Sequence, residues 1–297
     1  MCGICGIYNA QTQEMVSPAL IERMTHLISH RGPDDSGAYL DGPLGLGFAR
    51  LSIIDLGGGH QPMSNETGDI WIVFNGEIWN YKLLRKELTE KGHQFRTNSD
   101  TETIVHAYEE YGVDCAVHLH GMFGFAIWDA PRKRLLLARD RAGKKPLYYT
   151  SVNGDFLFAS EIKSLLYDPR VKREVDLQAL ADFLSVRYVP GPATLFENIY
   201  KVLPGHWLLY EDGRVREECY WDYTFTQTEH RPISEYIQGI RQHVHRAVEE
   251  RMIADVPVGT LLSGGVDSSI VTGTMSQLTN QPAVSYTHLT LPTILRV

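Results

Sequence analysis

Cys2 follows Met1 directly and an apolar run begins at once, so any fold must start with a thiol at the mouth of a buried strand. Residues 3–8, Gly-Ile-Cys-Gly-Ile-Tyr, read as that strand. A small side chain at position two allows removal of Met1, which leaves one residue carrying both a thiol and a free α-amino group. A free cysteine titrates at roughly 8.5 and a terminal amine at about 7.7–8.0. The amine can therefore act as base for its own thiol. The alternative is a small buried cysteine that begins a strand, and these residues alone do not separate the two.

The pattern downstream suggests two sheets covered by helices. Ser17-Pro18 opens a helix with an apolar stripe at Ile21, Met24, Leu27 and Ile28, which His30-Arg31-Gly32-Pro33-Asp34 ends. Residues 46–54 and 69–74 read as strands, 81–91 and 101–111 as helices stopped by Gly92 and Gly112. Short strands are expected at 122–128, 134–139, 147–150 and 156–160. Strands in two batches with helices between them predict a four-layer α/β arrangement. Beyond residue 176 come a helix at 177–186, β segments near 207–210 and 219–221, and a polar stretch at 224–231. A long amphipathic helix at 232–252 and a strand at 257–262 follow. A domain boundary is expected within 200–232.

Composition removes several function classes. A net charge of −8 with no basic run argues against a nucleic-acid partner. No apolar stretch approaches the ~20 residues of a membrane span, and no signal peptide is read at the start. Four cysteines do not suggest a disulfide framework at this length, which fits the cytoplasm. Cys2-x-x-Cys5 as a redox or zinc motif lacks a second pair. His118-x-His120 and His243-x-His245 are weak as metal ligands.

Four polar positions are candidates for work on an amide. Asn75-Gly76-Glu77 offers a side-chain donor beside a backbone N–H at a residue without Cβ, although Asn-Gly is also a hairpin turn signal. Arg50 places a forked cation in an apolar strand and suits a carboxylate; the alternative is a charge on a half-exposed strand. Ser99-Asp100-Thr101-Glu102 satisfies the capping-box pattern, which does not account for the choice of Asp100.

The stretches Cys2–Ile7, His30–Asp34, Arg50–Leu56, Gln61–Met63, Phe74–Ile78, Ser99–Glu102, Gly143–Tyr149 and Phe158–Glu161 occur in one order. In that order they resemble class II, N-terminal nucleophile glutamine amidotransferases, and among them the glutamine-hydrolysing asparagine synthetases. The resemblance implies a four-layer αββα glutaminase domain over 2–210. It implies Cys2 as nucleophile, Asn75 and Gly76 as oxyanion hole, Arg50 on the glutamine α-carboxylate, and Asp100 and Glu77 near its α-amino group. Glutamine would form a thioester on Cys2, with ammonia leaving and water releasing glutamate.

A second motif lies between an expected strand and an expected helix: Leu262-Ser263-Gly264-Gly265-Val266-Asp267-Ser268. Backbone N–H groups of such a loop converge on an anion, with the helix N-terminus adding partial positive charge. It lacks the Gly-Lys-Ser/Thr of a Walker A loop. It resembles the pyrophosphate loop of enzymes that split ATP into AMP and pyrophosphate, which implies ATP contacts at Leu262, Ser263, Gly264, Gly265, Asp267 and Ser268. Asp267 would help hold Mg²⁺. The implied reaction takes glutamine, aspartate and ATP to asparagine, in the cytoplasm, and leaves room for a homodimer. Another adenylating amidotransferase with a different acid acceptor remains open, as does a non-catalytic scaffold or metal module using Cys2 and Cys5. The ATP-binding domain is expected over 232–297 and incomplete, with a tail that departs from the family from about 283. The chain itself is expected to act as a C-terminally truncated glutaminase.

Overall fold

The computed structural model describes residues 1–225 and 231–279, together with the strand Val284–Tyr286. Most of the polar stretch at 224–231, and the tail from 283 apart from that strand, lie outside the described residues. The chain divides into two compact units, Met1–Tyr223 and Thr224–Val297. In the first unit the elements run β1 (Gly3–Tyr8), α1 (Pro18–His26), β2 (Asp35–Asp41), β3 (Leu44–Arg50), β4 (Met63–Ser64) and β5 (Ile70–Ile78). Next come α2 (Tyr81–Glu90), α3 (Asp100–Tyr111), α4 (Cys115–His118), β6 (Gly121–Asp129), β7 (Arg134–Arg139), β8 (Tyr148–Val152) and β9 (Asp155–Ala159). The unit closes with α5 (Ile162–Leu165), α6 (Leu177–Val186), β10 (Ile199–Lys201), β11 (His206–Glu211) and β12 (Arg214–Cys219).

Two six-stranded antiparallel sheets result, with strand orders β10-β8-β9-β1-β3-β2 and β12-β11-β7-β6-β5-β4. Alternation along β1 explains how one strand serves two layers. Ile4 and Tyr8 join Phe48 and Phe158 of their own sheet and Val73, Leu137 and Tyr210 of the other. Cys5 and Ile7 point the opposite way, onto Ile21, Met24 and Ile28 of the α1 region. On the second sheet α3 packs against β5 and against α2, burying Ile104, Val105 and Ala107 completely. Helix, sheet, sheet, helix is the four-layer α/β fold that the strand pattern predicts.

The departures have physical causes. The strand expected over 46–54 stops at Arg50, because the apolar residues Leu51, Ile53 and Ile54 line a pocket instead of a sheet. The segment expected near 219–221 runs over Arg214–Cys219, an edge strand whose residues are all exposed. Charges discourage pairing at an edge, and here they hide the apolar period. The edge strand β2 escapes sequence reading for the same reason, with four of its seven positions exposed and the rest half-buried. Ser99 caps α3 by accepting from the Thr101 N–H at 3.2 Å, but Glu102 does not complete the reciprocal box. Its carboxylate accepts from the Arg96 N–H, Thr97 N–H and Thr97 hydroxyl at 2.8, 2.7 and 2.6 Å, tying down the loop before the helix.

The second unit contains α7 (Ile233–Glu250), β13 (Gly259–Leu261), α8 (Val266–Leu278) and β14 (Val284–Tyr286). β13 and β14 pair in parallel with α8 as the crossover between them, a βαβ unit. Val266, Ile270 and Val271 of α8 are exposed, as are Ile237 and Ile240 of α7. Among the described residues no helix is long and apolar enough to cross a membrane.

Candidate active site

Cys2, Arg50, Asn75, Gly76, Glu77 and Asp100 all line one pocket of about 310 Å³. Each lies in a regular element or immediately beside one. Cys2 immediately precedes β1, and its carbonyl accepts from Arg31 Nε at 2.9 Å. Arg31 is itself fixed by Glu161 at 2.9 Å, and Ser160 Oγ accepts from the Ile4 N–H at 3.1 Å. Two of the stretches that carry the family resemblance thus clamp the start of β1, a role that sequence reading did not assign. The thiol lies against Leu51, whose N–H donates to Sγ at 3.4 Å and whose carbonyl accepts from it at 3.5 Å. Burial pushes the Cys2 thiol up; the Leu51 N–H, the chain's terminal amine, Lys145 and Arg50 pull it back. Met1 is 56 % exposed, so its removal would not disturb the packed strand.

Asn75 and Gly76 lie inside β5 and not after it, paired with Gly124 and Phe123 of β6. The hairpin alternative therefore does not hold. Among the described residues neither polar atom of the Asn75 side chain has a hydrogen-bond partner, although the residue is 1 % exposed. Burying an unpaired amide costs on the order of 1–3 kcal/mol, so its persistence in a pocket wall points to a ligand. A Cβ at Gly76 would stand 2.2 Å from the Met122 carbonyl oxygen, so only glycine fits there.

Arg50 is buried, which removes the reading of a half-exposed surface charge. Its guanidinium donates to the carbonyls of Leu56, Asp55 and Ile54 at 3.1, 2.7 and 3.4 Å. These bonds fix its plane and leave donors over for a carboxylate. Gly59 makes room for it: a Cβ there would come within 2.3 Å of Nη2. Asp100, at the start of α3, accepts from the Ile78 N–H at 3.0 Å. Burial, and then the Glu77 charge, push its carboxyl up to about 7. A cation brought into the pocket relieves both.

Three buried residues that sequence reading left without a role complete the wall. Gln61 accepts from the Phe74 N–H at 2.7 Å and donates to Thr101 Oγ1 at 3.1 Å, joining β5 to α3. Lys145 is 5 % exposed and lines the same pocket. Thr101 also lines it. A lysine in a Lys-Lys pair reads as surface, and only the contacts of its loop reveal its burial.

Cys2 and Cys5 belong to opposite faces of β1: Cys2 packs with the core between the sheets, Cys5 with α1. They cannot share a metal or a disulfide without reversing the strand, which removes the scaffold reading built on them. His118 stacks on Tyr111 at 3.7 Å, and His120 meets the Trp79 ring edge-on at 5.4 Å. His93, His106 and Glu109 bring ligand-type atoms within 4.8 Å of one another. Burial disfavours a charged His106, yet Glu102 and Glu109 outweigh it and push the imidazole up to about 9. That charged form suits the ion pair to Glu109 at 2.6 Å and opposes metal binding, which needs neutral imidazole.

In the second unit the strand-loop-helix motif forms as expected. Gly264 has φ +84°, a conformation that favours glycine, and Gly265 caps α8. Ser263 and Ser268 bring their hydroxyls within 3.0 Å of each other, and Ser268 also donates to the Gly265 carbonyl at 3.1 Å. Asp267 lies exposed in the first turn of α8.

Comparison with known proteins agrees with this division. A family model described as a glutamine amidotransferase domain matches residues 1–221, and one described as asparagine synthase matches 239–290. The chain is 43 % identical over 278 residues to a glutamine-hydrolysing asparagine synthetase of Bacillus subtilis, covering 91 % of this chain and 43 % of that protein. It is 40 % identical to the amidase chyE of Penicillium rubens, covering 92 % and 40 %. It thus spans less than half the length of these relatives. A glutamine phosphoribosylpyrophosphate amidotransferase of B. subtilis shares the fold, with a TM-score of 0.53 at 17 % identity over 99 % of this chain and 70 % of that one. A family match that runs from the N-terminal thiol through both sheets leaves no doubt about kinship: the chain belongs to the glutamine amidotransferases.

Proposed function

We propose that the pocket hydrolyses glutamine, and that the chain is part of a protein that uses the ammonia to convert aspartate and ATP to asparagine. The observation that carries the first part is the unpartnered, buried Asn75 amide in one pocket with the Cys2 thiol. Arg50 would take the α-carboxylate of glutamine, Asp100 and Glu77 its α-ammonium. Removal of Met1 would place the α-amine on Cys2, where it takes the thiol proton as sulfur attacks the side-chain carbonyl. The carbonyl oxygen gains negative charge, held by Asn75 Nδ2 and the Gly76 N–H. Collapse expels ammonia, which carries the transferred proton, and leaves a thioester. Water then releases glutamate and returns the proton to the Cys2 pair.

The glutaminase is assigned to 2–210 and the ATP-binding segment to 232–297. The loop Leu262–Ser268 fits a pyrophosphate group: open space lies over Gly264, and two hydroxyls face the helix N-terminus. Asp267 would hold Mg²⁺, whose charge would offset that of the phosphates. The cytoplasm is the proposed setting, in keeping with four free cysteines. The amidase relative supports a second reading with another acid acceptor. Glutamate release by the purified chain tests the first part; absence of hydrolysis by folded protein lacking Met1 would overturn it. ATP–pyrophosphate exchange in the full-length protein tests the second: exchange that needs aspartate supports asparagine synthesis, and exchange that needs another acid replaces it.

A further inference from the structure

The loop that carries Lys145 is held with unusual thoroughness for a segment between two strands. The Asp140 carboxylate accepts from the backbone N–H groups of Phe123, Ala142, Lys144 and Lys145, at 3.1, 3.1, 3.0 and 3.0 Å. The Arg139 guanidinium donates to the carbonyls of Lys145, Gly143 and Val202, at 2.8, 2.7 and 2.7 Å. Both side chains spend their charge on the backbone, and the result is a lysine set into the pocket wall beside Cys2. Among the described residues no acceptor hydrogen-bonds or ion-pairs with its ammonium. A lysine 5 % exposed in a pocket wall, with no acceptor bonded to its ammonium, is not explained by a surface role.

We propose that Lys145 is an electrostatic positioning residue for the Cys2 thiol–amine pair, its ammonium lowering the pH at which the pair loses its shared proton. This rests on the reading of Cys2 as the nucleophile. A cation beside a thiol favours the thiolate, and the same cation disfavours a proton on the neighbouring amine. Both members of the pair are pushed towards their reactive forms, and they titrate as one unit. The other charges within reach are Arg31, Arg50 and Asp34 from the β2 and β3 ends, Glu77 from β5, Asp100 from α3 and Asp140 of the lysine's own loop, whose carboxylate is taken up by backbone N–H groups. Arg31 is neutralised by Glu161, and Arg50 is turned onto backbone carbonyls. Burial holds the Lys145 ammonium below the usual lysine range, with Glu77 and Cys2 drawing it back up.

The pH dependence of Cys2 alkylation by iodoacetamide, located by peptide mass, reads the pair directly and does not require glutamine turnover. Lys145→Met and Lys145→Gln should raise the alkylation midpoint by about one pH unit, roughly tenfold slower labelling at neutral pH. Lys145→Arg should stay near the parent value. Glutamine kcat/KM should fall about as much in the neutral variants and recover at higher pH. Unchanged midpoints in folded Met and Gln variants, or a loss confined to KM, would overturn the proposal. Failure of Cys2 to react at any pH, with hydrolysis intact, would instead remove the nucleophile reading on which it rests.

Discussion

The two candidate sites hold charge in opposite ways. In the first unit Arg50, Asp100 and Asn75 are all less than a tenth exposed, and backbone groups of the 54–56 loop and of β5 fix Arg50 and Asp100. In the second unit the loop from Ser263 to Ser268 is open to solvent, and its determinants follow one another within six positions. Buried groups cannot be resolvated by water when a partner is removed, whereas an exposed loop exchanges protein contacts for water at little cost. Substitutions in the pocket should therefore act strongly and specifically, and substitutions in the loop mildly.

The largest contrast concerns the proposed oxyanion donor. Asn75→Ala should lower kcat for glutamine by on the order of 10²–10³ with little change in KM, because its amide meets charge only in the transition state. Steady-state kinetics decide this; a change confined to KM would make Asn75 a strand residue and nothing more. Next comes pH. With Asp100 pushed up to about 7, its neutral form prevails below that pH and cannot pair with the glutamine ammonium. KM should rise about tenfold per unit below pH 7 and level off above it. The stability link has the opposite sense: Asp100 favours the folded state at low pH, a contribution lost as pH rises through about 7. Asp100→Asn should have a high KM without this acid limb, so an identical limb in that variant would assign it to another group. The smallest effect belongs to the loop. Gly264→Ala forces a side chain into φ +84° at roughly 1–2 kcal/mol. Calorimetry should show pyrophosphate binding weakened by about five- to thirtyfold with glutaminase unchanged; a fall in glutaminase would contradict the separation of the two sites.

The same contrast explains what could be read in advance. The Ser263–Ser268 loop is contiguous and lies between a clear strand and helix, so its position and cap follow from local signals. Cys2 is legible from its place in the chain. For Arg50, Asn75 and Asp100 the residue types suggested chemistry, but local alternatives competed. Asn75-Gly76 carries the same local signal in a hairpin and in a strand, and only pairing with β6 distinguishes them. Arg31 gains its meaning from Glu161 across the fold, which no short window of sequence contains, and Lys145 from a loop whose course is set by the Asp140 carboxylate on its backbone N–H groups rather than by any periodic signal. Strands β2 and β12 were obscured because edges select polar residues.

The central claim is that Cys2, as the first residue of the mature chain, is the nucleophile of a glutamine pocket. Reaction with an electrophilic diazo-ketone analogue of glutamine, followed by peptide mass mapping, tests it most directly. The account predicts one label per chain, on Cys2, in a peptide that lacks Met1, with protection by glutamine and loss of hydrolysis in step with labelling. A label on Cys5, Cys115 or Cys219, or full hydrolysis by chains that retain Met1, would contradict it.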